Sequence, residues 1–230
     1  MRPLTRAEAG PLPVLYQDDA LIVVNKPSAL SAHRGWSDEG GDYVLTRVRD
    51  FLGQHVYLVH RLDRATSGAI VLVRHSELVE PLQRAFQDGR VDKRYLALAR
   101  GAMPEHTLVD YAIPRGEKDK EDRVDARTEF RLLGLHAGRY SLVEAHPTTG
   151  RLHQIRRHLK HISRPIIGDT TYGDGKENRL FRERFGLHRL ALHASSLTFP
   201  HPVSGALVSV HAAVPADLGD PLRAMGFEVS

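Results

Sequence analysis

The sequence predicts an α+β fold, with one domain built on a mixed, mainly antiparallel sheet flanked by helices and loops. Three observations predict it. Short apolar runs with strand-like alternation recur between Leu15 and Val214. Few stretches carry helical periodicity, and they fall between the strands. No internal repeat, low-complexity tract or linker divides the 230 residues. The domain is expected to span residues 14–230, behind a loose tail, residues 1–13, that holds three prolines and little pattern.

Each element has its own signal. "VLYQDDALIVVNK" (14–26) reads as strand, turn and strand, with Asp18 and Asp19 at the turn. Pro27 ends the second ladder, because proline has no N–H to donate. Val44, Val48 and Phe51 stand at helical spacing. Val56–Val59 and Ala69–Val73 are short apolar strands. Ser76 suits the cap of a helix running toward Phe86 and closed by Gly89, but Pro81 moves its start a turn later. "VDKRYLALAR" (91–100) alternates, placing Val91, Lys93, Tyr95 and Ala97 on one face.

Residues 115–126, "RGEKDKEDRVDA", read as a charged, apolar-poor loop. Strands at 127–133 and 139–145 follow, and a "PTTG" turn leads into "RLHQIRRHLKHI" (151–162). At 100° per residue Leu152, Ile155, Leu159 and Ile162 form one stripe; His153, Arg156, Arg157 and Lys160 form another. Arg156 lies at the edge of the apolar stripe and Arg157 farther out. Residues 169–188 are rich in Gly, Arg and Asp and read as a long loop. "ALHASSLTF" (191–199) and "LVSVHAAV" (207–214) are late strands joined through the turn "HPVSG".

Composition narrows the function classes. The chain has no cysteine, which excludes disulfides, thiolate catalysis and Cys-ligated zinc. The longest aliphatic run, "ALIVV" (20–24), is far short of the ~20 residues a membrane helix needs. "MRPLTRAEAG" lacks the apolar segment of a secretory signal, so a cytoplasmic protein is expected. Net charge is +4, and its distribution is uneven. Arg151–His193 holds ten Lys/Arg against four Asp/Glu, while the rest of the chain holds 22 against 24. That window reads either as a solvated face or as a polyanion surface.

The stretch "HRLDRATSG" (60–68) sets one carboxylate, Asp63, between Arg61 and Arg64 and between two apolar strands. An ion pair or turn cap would explain a loop aspartate. A rigid scaffold that displays a loop is also where catalytic groups sit. His158 and His161 are three residues apart, without an acid at ligand spacing, so no metal site is expected. Ser67 lacks the G-x-S-x-G elbow, and the glycines form neither a P-loop nor G-x-G-x-x-G, so no cofactor is indicated.

Four stretches then stand together: "NKPSAL" (25–30), "HRLDRATSG" (60–68), "KRYLAL" (93–98) and "TGRLHQIRRHL" (149–159), with "RPIIGD" (164–169) behind them. In this order the chain resembles the RluA-type pseudouridine synthases, over about Leu15 to Val214. "HRGW" (33–36), "GQHVYLVHRLD" (53–63) and "NRLFRERFGLHRLALHA" (178–194) look most like the branch that modifies uridine 65, on the acceptor-stem side of tRNA. Ala29 departs from the family pattern, which commonly has glycine there.

The resemblance implies a pseudouridine-synthase-like domain that isomerises uridine to pseudouridine without a cofactor. Asp63 matches the family's essential carboxylate, Tyr95 its tyrosine and Arg156 the arginine that pairs with the acid. Ile167 would pack beneath the uracil ring. Arg61 would fill the space left by the flipped base or hold its phosphate. Arg151, His153, Arg157 and Lys160 would lie along the RNA backbone. The expected partner is tRNA, with rRNA as the alternative, and no membrane or obligate protein partner is implied. Two other readings stand beside this one. A non-catalytic RNA-binding protein or tRNA chaperone accounts for the basic window but not for a lone acid in a basic loop. A carboxylate-dependent hydrolase needs a second acid, for which Asp169 is the best candidate.

Overall fold

The computed structural model describes residues 11–33, 41–116 and 121–229, so the "HRGW" stretch falls mostly outside the described residues. The elements alternate irregularly between strand and helix, as an α+β chain does. The chain divides into two compact units, Met1–Val91 with Ser196–Ala213, and Asp92–Ser195 with Val214–Ser230.

The first unit begins with β1 (Val14–Gln17), β2 (Leu21–Lys26), α1 (Val44–Leu52), β3 (Tyr57–Leu58) and β4 (Ser67–Val73). A 3-10 turn (Ser76–Leu78) leads into α2 (Val79–Gln87). β2 and β4 run antiparallel from Leu21↔Val73 to Lys26↔Gly68. β4 is buried at every residue. β1 pairs with β2, and β3 with β4. The Asp18 side chain closes the β1–β2 turn by accepting from the N–H groups of Ala20 and Leu21 at 2.8 and 2.9 Å. The core gathers Leu21, Val23, Val71, Val73, Leu82 and Phe199. Pro81 falls in the first turn of α2, where a missing N–H costs nothing. Phe51, expected on the buried stripe of α1, is 53% exposed; only Val44 and Val48 of that stripe are buried. The end of the expected loose tail is held, because Leu12 is buried and the Pro13 carbonyl accepts from the Asn25 N–H at 2.8 Å.

The second unit carries β5 (Asp92–Arg100), β6 (His106–Asp110), β7 (Ile113–Pro114), β8 (Arg123–Val124), β9 (Arg127–His136) and β10 (Tyr140–Pro147). It continues with α3 (Gln154–His161), α4 (Gly175–Phe185) and α5 (Ala216–Ala224). Its strands are ordered β5-β10-β9-β6, with antiparallel ladders. Tyr95 of β5 faces Ala145 of β10 across the ladder. β11 (Leu192–Pro200) runs from this unit into the first, where its second half pairs antiparallel with β12 (Leu207–His211). Isolated parallel bridges at Ser31↔Tyr43 and Gly101↔Tyr140 give the pairing its mixed character.

Two expectations need correction, and one helix was not expected. Residues 169–188 are not one long loop, because α4 occupies Gly175–Phe185. Asp174 caps it by accepting from the N–H groups of Lys176 and Glu177, and Gly186 ends it at φ 69. Its apolar face is too narrow to show as periodicity, since Phe181 is the one large apolar residue it buries. The charged 115–126 stretch contains β8, which pairs with β7 through Ile113↔Val124. α5 had no sequence signal, because Gly219 and Pro221 interrupt a pattern that still buries Leu218 and Leu222.

Candidate functional site

In the first unit, Asp63 sits on the connection between β3 and β4. Its carbonyl accepts from the Thr66 N–H at 3.0 Å, which makes residues 63–66 a tight turn. Leu62 is buried, Asp63 is half-buried and Arg61 is exposed. Beside the turn, His60 Nε2 accepts from the Val71 N–H at 3.1 Å, and its ring stacks on Phe86 at 4.5 Å. Among the described residues, the buried Thr66 hydroxyl has no hydrogen-bond partner.

A second segment fixes this turn. Lys26, at the end of β2, is 0% exposed. Its ammonium donates to the carbonyls of Pro27, Leu30 and Arg64 at 2.9, 2.8 and 3.2 Å. A lysine ammonium has three protons, so three carbonyls match its donors. The Ser28 hydroxyl donates to the Ala65 carbonyl at 2.8 Å, and Arg64 Nε donates to the Ala29 carbonyl at 3.1 Å. Side chains at 26, 28 and 64 thus tie residues 26–30 to residues 64–65. Ala29 adopts φ 65, the left-handed region, which is the physical reason a glycine suits this position.

In the second unit, Arg156 is buried and forms a two-pronged ion pair with Asp169, Nε–Oδ2 at 2.8 Å and Nη2–Oδ1 at 2.9 Å. Burial pushes the Asp169 carboxyl up, but the Arg156 guanidinium and the N–H groups of Tyr172 and Thr171 outweigh it and hold the acid below its usual range. Tyr172 is the hub around this pair. Its ring lies 5.0 Å from the Arg156 guanidinium, and its hydroxyl meets His153 Nδ1 at 3.0 Å and Arg157 Nε at 2.9 Å. His153 takes φ 54 at the start of α3. The turn before α3 is braced by Gln154, whose Oε1 accepts from Thr149 Oγ1 and the Arg151 N–H at 2.7 and 3.0 Å.

Tyr95 is half-buried on β5. Two residues earlier on the same strand face, Lys93 donates to the Thr149 carbonyl at 3.0 Å, and burial pushes its ammonium down to about 8. Ile167 is 1% exposed and its backbone is pinned, with N–H to the Leu98 carbonyl and carbonyl to the Ala191 N–H, both at 2.9 Å. Gly168 follows at φ 81, where an added Cβ would meet the Arg189 carbonyl at 1.9 Å.

The structure therefore brings His153, Arg156 and Arg157 together around Tyr172. Lys160 and Arg151 are exposed, and Arg151 Nε donates to the Asp125 carbonyl at 3.2 Å. Arg157, expected on the outward stripe, is half-buried instead. The β7 end folds over that side of α3, and Arg157 donates to the carbonyls of Pro114 and Gly116 at 2.6 and 3.2 Å. Sequence reasoning missed Lys26 and Tyr172. The signal for Lys26 was a charge closing a strand that opens with four apolar residues, 21–24; Tyr172 lies in an aperiodic loop and gave none. Asp169, the best candidate for a second acid, accepts turn N–H groups and is the Arg156 partner. Among the described residues, no group of three His, Cys, Asp or Glu side chains is placed to hold a metal.

A family model described as RNA pseudouridylate synthase matches residues 20–161. The chain belongs to this family, whose reaction is the isomerisation of uridine to pseudouridine in RNA. Its relatives are more particular. It is 39% identical to tRNA pseudouridine synthase C of Vibrio parahaemolyticus over 88% of this chain and 90% of the relative. It is 41% identical to the protein of that name from Vibrio cholerae, covering 83% and 86%. Among solved structures, Human RNA Pseudouridylate Synthase Domain Containing 4 superposes with TM-score 0.78 at 25% identity, covering 94% of both chains. Human RNA Pseudouridylate Synthase Domain Containing 1 gives 0.76 at 26%, covering 100% of this chain and 99% of that one.

Proposed function

We propose that this chain converts uridine to pseudouridine in tRNA, at position 65, with residues 14–230 acting as one catalytic domain in the cytoplasm. The observation that carries the reading is the alignment, at about 40% identity and over nearly the whole chain, with relatives named tRNA pseudouridine synthase C. The choice of position 65 rests on the motif likeness to that branch. Among the described residues, no helix is long and apolar enough to cross a membrane.

The reaction breaks the bond from uracil N1 to the ribose and forms one from C5 to the same carbon. The C5 proton leaves and N1 gains one, so nothing is oxidised, hydrolysed or lost. The target base must first leave its stack. Asp63 is the carboxylate that acts on the flipped nucleotide, and the tied turn beneath it supports that role, since catalysis needs a fixed reacting group. Tyr95 stacks on the uracil and its oxygen assists removal of the C5 proton. Arg156 is the cation that the family motif assigns to the site, and the Arg156–Asp169–Tyr172 arrangement fixes its guanidinium. Ile167 packs beneath the ring. Arg61, Arg151, His153, Arg157 and Lys160 position the RNA; of these, Arg157 and His153 act through the fixed geometry around Tyr172.

Pseudouridine mapping of total RNA, with the protein present and absent, tests the reading. Protein-dependent modification at tRNA position 65, lost in Asp63→Asn with RNA binding kept, is the expected result. Modification confined to rRNA would reject the tRNA assignment. Full turnover by Asp63→Asn would reject the catalytic one.

A further inference from the structure

The structure sorts the cations of the basic window into those already engaged and those left over. Arg156 is paired with Asp169, and Arg157 is bound to two carbonyls and the Tyr172 hydroxyl. Arg164 donates to the carbonyls of Ala102 and Ser163. Arg189 is buried against Asp217 and the carbonyls of Leu190 and Leu192. Arg151 donates to the Asp125 carbonyl. Five remain, and one of them is Lys160 on α3. The other four, Lys176, Arg179, Arg182 and Arg184, are all exposed on α4; Arg184 lies over the Phe185 ring at 5.3 Å, and Lys176 acts on the Asp174 carboxylate.

α4 is seated from its other side. Phe181 is 0% exposed, and buried Glu177 accepts from Arg139 and from the Tyr140 hydroxyl. Asn178 accepts from the Gly168 N–H at 2.7 Å and donates to the Asp169 carbonyl at 2.9 Å. Asp169 in turn holds Arg156. The helix is therefore rigid, and its inner face grips the loop that fixes the family's arginine. On its outer face, Lys176, Arg179 and Arg182 recur every third residue, a row rising about 9 Å along the axis. Among the described residues, the guanidinium groups of Arg179 and Arg182 have no hydrogen bond or ion pair. Glu183 is the one exposed acid of the helix.

We infer that the outer face of α4 is the surface on which the RNA backbone docks, with Lys176, Arg179 and Arg182 each meeting phosphate. This rests on the proposed RNA substrate and adds α4 to the backbone contacts proposed around α3. A row of exposed cations on an anchored helix, two of them, Arg179 and Arg182, without a hydrogen bond or ion pair among the described residues, attracts a polyanion and loses little side-chain bonding when it binds. Its link through Asn178 to Asp169 would set the docked backbone at a fixed distance from Arg156.

The test measures binding of an unmodified tRNA transcript to the full chain across a series of salt concentrations. Arg179→Gln with Arg182→Gln is compared with Arg84→Gln with Arg90→Gln, which removes the same charge from exposed ion pairs elsewhere. Circular dichroism confirms that both variants stay folded. The α4 variant is expected to bind several-fold more weakly, with its salt slope reduced by about one per lost phosphate contact. The control is expected to keep the parent slope. A parent-like slope in the α4 variant, or an equal fall in the control, overturns the assignment. Pseudouridine formation by the parent is scored separately, so a protein that binds through α4 but modifies no RNA would refute the proposed reaction and not the docking surface.

Discussion

Arg156 and Asp169 form a buried two-pronged ion pair, at 2.8 and 2.9 Å, with side-chain exposures of 8% and 0%. Asp169 also accepts from the Thr171 and Tyr172 N–H groups, each at 2.9 Å. One carboxylate therefore shapes a turn and aims a guanidinium. Removing a single partner leaves a buried charge uncompensated, which typically costs about 3–5 kcal/mol. Asp169→Asn is expected to lower stability by an amount near the low end of that range, because the amide keeps some hydrogen bonds. Urea denaturation checks it, and an unchanged midpoint would mean that the pair does not stabilise the loop. The acid's lowered pKa fixes the sign with pH. Its contribution is present above the unfolded value, 3.8, and is lost as pH falls through the folded value.

The turn beneath Asp63 gives a second prediction. Lys26→Met removes the donor from three carbonyls at once, and each buried unsatisfied group costs about 1–3 kcal/mol. The variant is expected to fold poorly. Ser28→Ala cuts only the 2.8 Å link to the Ala65 carbonyl, so it should fold and lose about 1 kcal/mol. With the acid's turn loosened, its kcat is expected to fall while KM for tRNA stays near that of the parent. A loss of stability with kcat unchanged would show that the link holds the fold without positioning Asp63.

Ala29 gives a prediction of opposite sign. At φ 65 a side chain costs about 1–2 kcal/mol, and glycine's extra unfolded-state freedom offsets about half of that. Ala29→Gly is expected to raise stability by about 0.5–1 kcal/mol. A fall in melting temperature would show that the alanine methyl contributes packing that outweighs the backbone strain.

These positions show what was legible beforehand. Alternation and apolar runs located the strands because burial imposes period two, and Asp63, Tyr95 and Arg156 stood in motifs that chance does not assemble. α4 was not legible, because its anchoring is polar: Glu177 and Asn178 do what apolar residues do on an ordinary amphipathic helix. The role of Lys26 was hidden for a related reason. Its partners are backbone carbonyls, which a sequence does not display. The engagement of Arg157 depends on residues 114 and 116, distant in sequence, so a helical wheel placed it facing outward.

Lys93 carries the last prediction. Burial lowers its ammonium from 10.5 to about 8; Arg151 adds to the lowering and Asp92 opposes it. At neutral pH the lysine is charged in both folded and unfolded chains, and the folded state bears the cost of burying that charge. Between about 8 and 10.5 the folded chain releases its proton while the unfolded chain keeps it. The unfolded state then binds more protons, so stability rises with pH across that window. Lys93→Met has no proton to release there. The stability difference between variant and parent is therefore expected to shrink or reverse in the parent's favour as pH rises from 8 toward 10.5. Paired thermal melts at several pH values measure it, and subtraction cancels the other titrating groups. Parallel curves for the two proteins would mean that the Lys93 ammonium is as well solvated in the fold as in the open chain, despite its contact with the Thr149 carbonyl.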